Sequence, residues 1–204
     1  VEGYTDFASL YQAGVKNIAA SLGTSLTESQ VSLARRFADR MIVNYDGDAA
    51  GKNAAFRAVP LCFEKGMQVS VLILPETLDP DAYVRKNGRN PYLELAKKSS
   101  PGLKFLVDAA LQTGNMNVPK EKSRSVRSVV SELNKIPDSI IRSDYLRNAA
   151  EYMSVDESIL RQISDKPPAE QTQEERDFFL PGEKRLLQIL LSNPIIASHI
   201  WTKL

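Results

Sequence analysis

For its first hundred residues the chain alternates short apolar runs with stretches of helical spacing, and this alternation limits its possible folds more than any other feature. NIAAS (17–21), MIVNY (41–45) and VSVLIL (69–74) have the length and composition of buried strands, and Val1–Gly3 reads as the stub of another. Between them, residues 4–13, 27–40 and 48–65 carry apolar residues at helical spacing. Thr27 followed by Gln30 has the form of a capping box, and Gly14 and Gly66 stand where helices should stop. Strand and helix in regular turn imply a largely parallel sheet with helices on its faces.

From Asp79 the pattern changes. Helical spacing alone continues through 79–87, 91–97, 101–112, 119–135, 139–153 and 155–164, which implies an all-helical region after the α/β part. The polar, proline-containing stretch 164–181 reads as a linker, and 182–204 as the opening helices of a further domain. Opening on VEGYTDF, the chain reads as a piece cut inside its first strand.

Composition narrows the class. At 204 residues the chain can bury a substantial core, and no apolar run is long enough to span a bilayer, so a cytoplasmic protein is expected. The single cysteine, Cys62, excludes an intramolecular disulfide and a multi-cysteine zinc site, and its apolar setting (AVPLCFEKG) makes it a core residue. The net charge of +1 is low for a protein that grips phosphate backbones. Either the chain holds no nucleic acid, or the basic surface lies on a part of the protein outside this sequence.

In a parallel α/β sheet, ligands gather beyond the carboxyl ends of the strands, and three acidic sites fall there. Glu2 ends the first strand stub, Asp46 and Asp48 follow MIVNY as YDGDAAG, and Asp79 and Asp81 follow VSVLIL as LDPDAY. Hard divalent cations such as Mg²⁺ take oxygen ligands of this kind, and two such ions can stabilise both oxygens of a phosphoryl transfer. Each element also has a plain structural reading. Asp46-Gly47 suits a turn, Asp48 an N-cap, and Asp79 an N-cap with Pro80 at the first helical position. Their joint placement at strand ends favours a site.

Glu2-Gly3 with Asp46-Gly47-Asp48 resembles the toprim motif pair, shared by bacterial primases, topoisomerases and some nucleases. EGYTDFASLYQAGVKNIAASLGTSLTESQ, NYDGDAAGKNAAFRA and LPETLDPDAYVRKNG resemble bacterial DNA primases in particular, and IPDSIIRSDYLRNAAEYMSVDESIL is similar to the region after toprim in those enzymes. The resemblance covers about residues 1–163. It implies an α/β toprim domain over 1–97, a helical subdomain of an RNA polymerase core over 98–163, and a helicase-interaction domain starting at 182–204. It also implies a nucleotidyltransferase that makes RNA primers on single-stranded DNA from ribonucleoside triphosphates. Glu2, Asp46 and Asp48 would then be catalytic, and with Asp79 and Asp81 they would hold Mg²⁺ or Mn²⁺. Zinc would belong only to a module ahead of toprim, and the replicative helicase would be a partner. That zinc module and a basic subdomain are missing here, so the piece alone is expected to be inactive or weak.

Other readings stay open: another toprim enzyme such as a nuclease or topoisomerase, a non-catalytic metal-binding or helicase-docking module, or a receiver-type domain. Arg85 and Lys86 suit either phosphate contact or a solvated helix end. Tyr4, Phe7 and Tyr11 read as core and helix-face residues, and His199 as helix packing. Gly23 and Gly51 read as points of close backbone approach.

Overall fold

A computed structural model of the chain describes residues 1–22, 25–75, 78–112 and 117–165. The elements run α1 (Tyr4–Gln12), α2 (Glu28–Arg35), β1 (Arg40–Val43), α3 (Ala49–Glu64), β2 (Gln68–Val71), α4 (Pro80–Asn87), α5 (Arg89–Lys97), β3 (Ser100–Pro101), α6 (Gly102–Gln112), α7 (Pro119–Leu133), α8 (Ser139–Met153) and α9 (Glu157–Asp165). The sheet has the order β1-β2-β3. β1 and β2 are parallel, with Arg40 opposite Gln68 and Val43 opposite Val71, and β2 meets the two-residue β3 antiparallel.

The helix signals in the sequence act as expected. The Thr27 side chain accepts from the Gln30 N–H while the Gln30 side chain accepts from the Thr27 N–H, closing the capping box of α2. After α3, Gly66 adopts φ +66°, a conformation that L side chains resist, and the chain reverses there into β2.

Four expectations need correction. The 27–40 helix stops at Arg35, because the strand that follows starts at Arg40 and the intervening residues must turn the chain. Neither NIAAS nor the expected stub at Val1–Gly3 forms a regular strand: the two meet over a short stretch, where the Val1 nitrogen donates to Ala19 O at 3.0 Å, and Ser21 and Leu22 N–H donate to Val1 O and Glu2 O. A partner of two residues gives too short a ladder. The all-helical reading beyond Asp79 missed β3, which closes the sheet on the far side of β2.

Two apolar clusters hold these elements. The larger joins Val43, Val69 and Val71 of the strands to α3 (Val59, Phe63), α6 (Leu106, Val107), α7 (Val129, Leu133), α8 (Leu146) and Leu160 of α9. The smaller lies beyond the strand ends and joins Leu10 of α1, Leu72 and Leu74, Tyr83 and Val84 of α4, and Tyr92 of α5. The larger cluster crosses residue 97/98, the domain boundary that the resemblance implied. Gly102 shows how closely α6 approaches the sheet: a Cβ there would lie 2.7 Å from Val69 Cγ1 and 2.9 Å from Val69 O. Val1–Asp165 is one compact unit. The expected linker at 164–181 begins inside α9, and the rest of it, the domain opening at 182–204, His199 and Gly23 lie outside the described residues. Among the described residues no helix is long and apolar enough to cross a membrane.

Leu133 is fully buried where α7 meets this cluster. Leu133→Ala is expected to cost about 2–5 kcal/mol through lost burial and the cavity left behind, as read from the shift in a urea unfolding midpoint.

Candidate metal-binding rim

Because β1 and β2 are parallel, their carboxyl ends leave the sheet on the same side, and the acidic residues sit on the segments that follow. Past β1 come Asn44, Tyr45 and Asp46, then Asp48 as the N-cap of α3. Past β2, the chain reaches Asp79, the N-cap of α4. Val1–Glu2 is bonded to the 19–22 segment, and the Glu2 charge reaches both Tyr45 and Asp46 past the end of β1.

The charges on these segments feel one another. The Asp46 carboxyl is held above its ordinary range by burial first, then by the negative charges of Glu2, Asp6, Asp79 and Asp48. Neither Glu2 nor Asp46 has a hydrogen-bonding or ion-paired side-chain partner among the described residues. The plain structural readings of Asp48 and Asp79 also hold. Asp48 Oδ1 accepts from the Gly51 N–H at 2.7 Å, and Asp79 Oδ1 accepts from the Ala82 N–H at 2.6 Å. In both, the cap engages Oδ1 and leaves Oδ2.

Asp81 stands apart. Its Oδ1 accepts from Ser9 Oγ and from Arg85 Nε, the latter at 2.7 Å, and its carboxyl is held below the ordinary range by the Ser9 bond first and the Arg85 contacts next, against some desolvation. Arg85, one of the two cations weighed for phosphate contact, is therefore paired within its own helix. Among the described residues no three His, Cys, Asp or Glu side chains close on one point as a ready-made cage.

Sequence reasoning passed over four residues that build this end of the fold. Asp6 is buried in the first turn of α1; its Oδ2 accepts from the Gly3 N–H at 3.0 Å and its Oδ1 from the Asp81 N–H at 3.3 Å, so it fastens the Glu2 segment to the start of α4. An acid four residues after Glu2, just inside a helix, was the available signal. Ser9 holds Asp81, and Asn44 and Tyr92 form a buried bond under the rim. A polar residue inside the apolar run MIVNY was the visible trace of Asn44. By contrast Tyr4, read as a core or helix-face residue, is 72% exposed. Cys62 is buried as expected, and burial pushes its thiol up to about 12.

Comparison with known proteins fits this arrangement. The Toprim-like family matches residues 1–84, and the family described as the DnaB-helicase binding domain of primase matches residues 103–158. A DNA primase of Halalkalibacterium halodurans is 36% identical over 162 residues, 79% of this chain and 27% of that protein. The chain belongs to the bacterial DNA primase family. Among solved structures, a DNA primase domain from Pseudomonas aeruginosa superposes with a TM-score of 0.73 at 26% identity, covering 81% of this chain and 53% of that one. A DnaG primase catalytic domain bound to ssDNA superposes with a TM-score of 0.70 at 29% identity, covering 78% and 51%. The chain thus spans about a quarter of the curated primase and about half of each solved structure. Its fold is the toprim α/β arrangement followed by helices.

Gly51 sets how closely the first turn of α3 seats against the rim. A Cβ there would lie 2.2 Å from Asp46 O and 2.8 Å from Asp46 N, backbone atoms that cannot yield as a flexible side chain would. Gly51→Ala is expected to cost at least about 2 kcal/mol in denaturant unfolding, with altered amide shifts at Asp46 and Gly47 in an ¹⁵N spectrum.

The Asp46 shift also gives a pH dependence. Unfolded, Asp46 titrates at its ordinary value of 3.8; folded, it keeps its proton to higher pH. Below 3.8 both states are protonated and nothing is lost. As pH rises through the two values the unfolded state ionises first, so the folded state loses stability and the deficit persists at neutral pH. Asp46→Asn should therefore melt at a higher temperature than wild type at neutral pH. In thermal melts across the acid range the gain should shrink to nothing below the ordinary value.

Proposed function

We propose that this chain supplies the acidic, metal-holding part of a nucleotidyltransferase that makes RNA primers on single-stranded DNA. The observation that carries this reading is the shared negative field of Asp46, Asp48 and Asp79, on the segments past the parallel strands, and of Glu2 beside them, with no cation side chain balancing Asp46 or Glu2 among the described residues. An all-carboxylate donor set without His or Cys suits a hard divalent cation, and a cation there would relieve the repulsion that adds to burial in raising Asp46. Mg²⁺ or Mn²⁺ fits that description.

In this reading Glu2, Asp46 and Asp48 hold the ions, Asp48 through the oxygen its cap leaves over, and Asp79 contributes in the same way from the α4 side. Asp81 belongs to the acidic cluster, but with Ser9 and Arg85 on it, it would hold the start of α4 in place unless those partners give way. When bound, the ions would neutralise charge developing on the transferred phosphoryl group. The residues of the chain do the positioning: Asp6 fastens Glu2 to α4, Gly51 lets α3 seat on Asp46, and the strand ends set the spacing. A rim of this charge repels nucleic acid without its ions, so the single-stranded template and the ribonucleoside triphosphates would be gripped largely by basic surface elsewhere in the longer protein.

Family membership and the ssDNA-bound relative support primase over a nuclease or topoisomerase. The match over residues 103–158 supports contact with the replicative helicase through α6–α8, with the 182–204 stretch assigned to the same task from its sequence.

Paramagnetic broadening on Mn²⁺ titration tests the site directly. Wild type is expected to bind, and Asp46→Asn with Asp48→Asn to lose that binding while keeping the fold by circular dichroism. In a longer protein containing these residues the same pair should lower primer synthesis by about 100-fold or more. No binding by wild type, or binding indifferent to the pair, would overturn the reading.

A further inference from the structure

Beneath the rim lies a buried polar link that nothing in the metal chemistry requires. Asn44 is 1% exposed and Tyr92 6% exposed. The β1–β2 ladder ends with Leu72 N–H donating to Val43 O at 2.9 Å, and the Asn44 side chain continues it, Nδ2 donating to Leu72 O at 3.1 Å. A carbonyl can only accept, so the amide group of Asn44 must face Leu72 and its Oδ1 must face the other way. There Tyr92 Oη donates to it at 3.0 Å. Tyr92 also lies against Tyr83, ring centroids 6.4 Å apart and tilted by 54°. The Tyr83 N–H donates to Asp79 O, one helical turn back. A continuous path thus runs from Asp46 through Asn44, Tyr92 and Tyr83 to Asp79.

We propose that Asn44 and Tyr92 are positioning residues that set where the Asp46–Asp48 segment stands relative to the Asp79 end of α4. The proposal rests on the metal-site reading above. Two neighbouring apolar side chains would fill the same space without burying an amide and a hydroxyl, whose net contribution to stability is small even when paired. What the polar pair adds is direction. Three atoms, Leu72 O, Asn44 Oδ1 and Tyr92 Oη, fix one register between the end of β1, the end of β2 and α5, where apolar packing would tolerate sliding. A metal held by carboxylates from both segments is sensitive to that register. Burial keeps the Tyr92 hydroxyl protonated, pushed up to about 12, so it remains a donor throughout the neutral range.

The test is an Mn²⁺ titration of the chain as wild type, Tyr92→Phe and Asn44→Ala, with Val129→Ala as a control that weakens the larger cluster away from the rim. Each variant is compared with its own melting temperature, and two independent breaks of the link guard against one of them failing to fold. Mn²⁺ affinity should fall about 10-fold in Tyr92→Phe and Asn44→Ala and stay at the wild-type value in the control. Wild-type affinity in both link variants, or an equal loss in the control, would overturn the proposal and leave the metal site standing. If wild type binds no Mn²⁺, the metal reading fails by itself, and the ¹⁵N spectrum of Tyr92→Phe decides about the link. Movement of the amide signals of Asp46–Gly51 together with Asp81 and Ala82 supports it, and changes confined to Asn44 and Tyr92 overturn it.

Discussion

The parallel pairing of β1 with β2 is the constraint on which the rest of the rim depends. Two strands running the same way must end on the same side of the sheet, and their last rung, between Leu72 and Val43, lies just before both chains depart into acidic segments. An antiparallel pair would have sent one of these segments to the opposite end of the sheet. The pairing in turn rests on the larger apolar cluster. β2 is buried along Val69 and Val71, and α6 approaches it so closely that only a glycine fits at position 102. The helices after residue 101 are therefore part of what holds the acidic end in shape.

Much of this was legible in the sequence, and the limits have physical causes. Helices declared themselves through caps and glycines, because those signals are local: Thr27 with Gln30, Asp48, Asp79 with Pro80, Gly66. Strands were less clear. NIAAS has the composition of a buried strand and forms none, since a strand needs a partner of matching length and composition says nothing of the partner. β3 escaped notice because two residues carry no period. The strand-end acids could be named from position alone, but the division among them could not. Asp81 and Asp46 look alike in the sequence, and only the fold puts Ser9 and Arg85 on the one and leaves the other without such partners.

Capping leaves Asp48 and Asp79 each an oxygen over. A carboxylate has two oxygens, and a helix N-terminus engages one. Asp48 and Asp79 are each fixed at a helix start by a short bond to a backbone N–H, which sets where the second oxygen points more tightly than a free side chain would allow. The cost falls on Asp46, which has burial and four like charges around it and no cap to relieve them. The burial and the like charges around Asp46 thus cost the folded chain some stability once that carboxyl ionises.

Cys62 carries a practical consequence. It is the only thiol in the chain, it is packed inside the larger cluster, and burial keeps it protonated far above neutral pH. Thiol reagents attack the thiolate and need access, so in the folded chain this sulfur should be silent. Its rate of labelling then becomes a clock for opening of the sheet–helix core. A spectroscopic tag placed on a new surface cysteine could be attached without first removing the natural one.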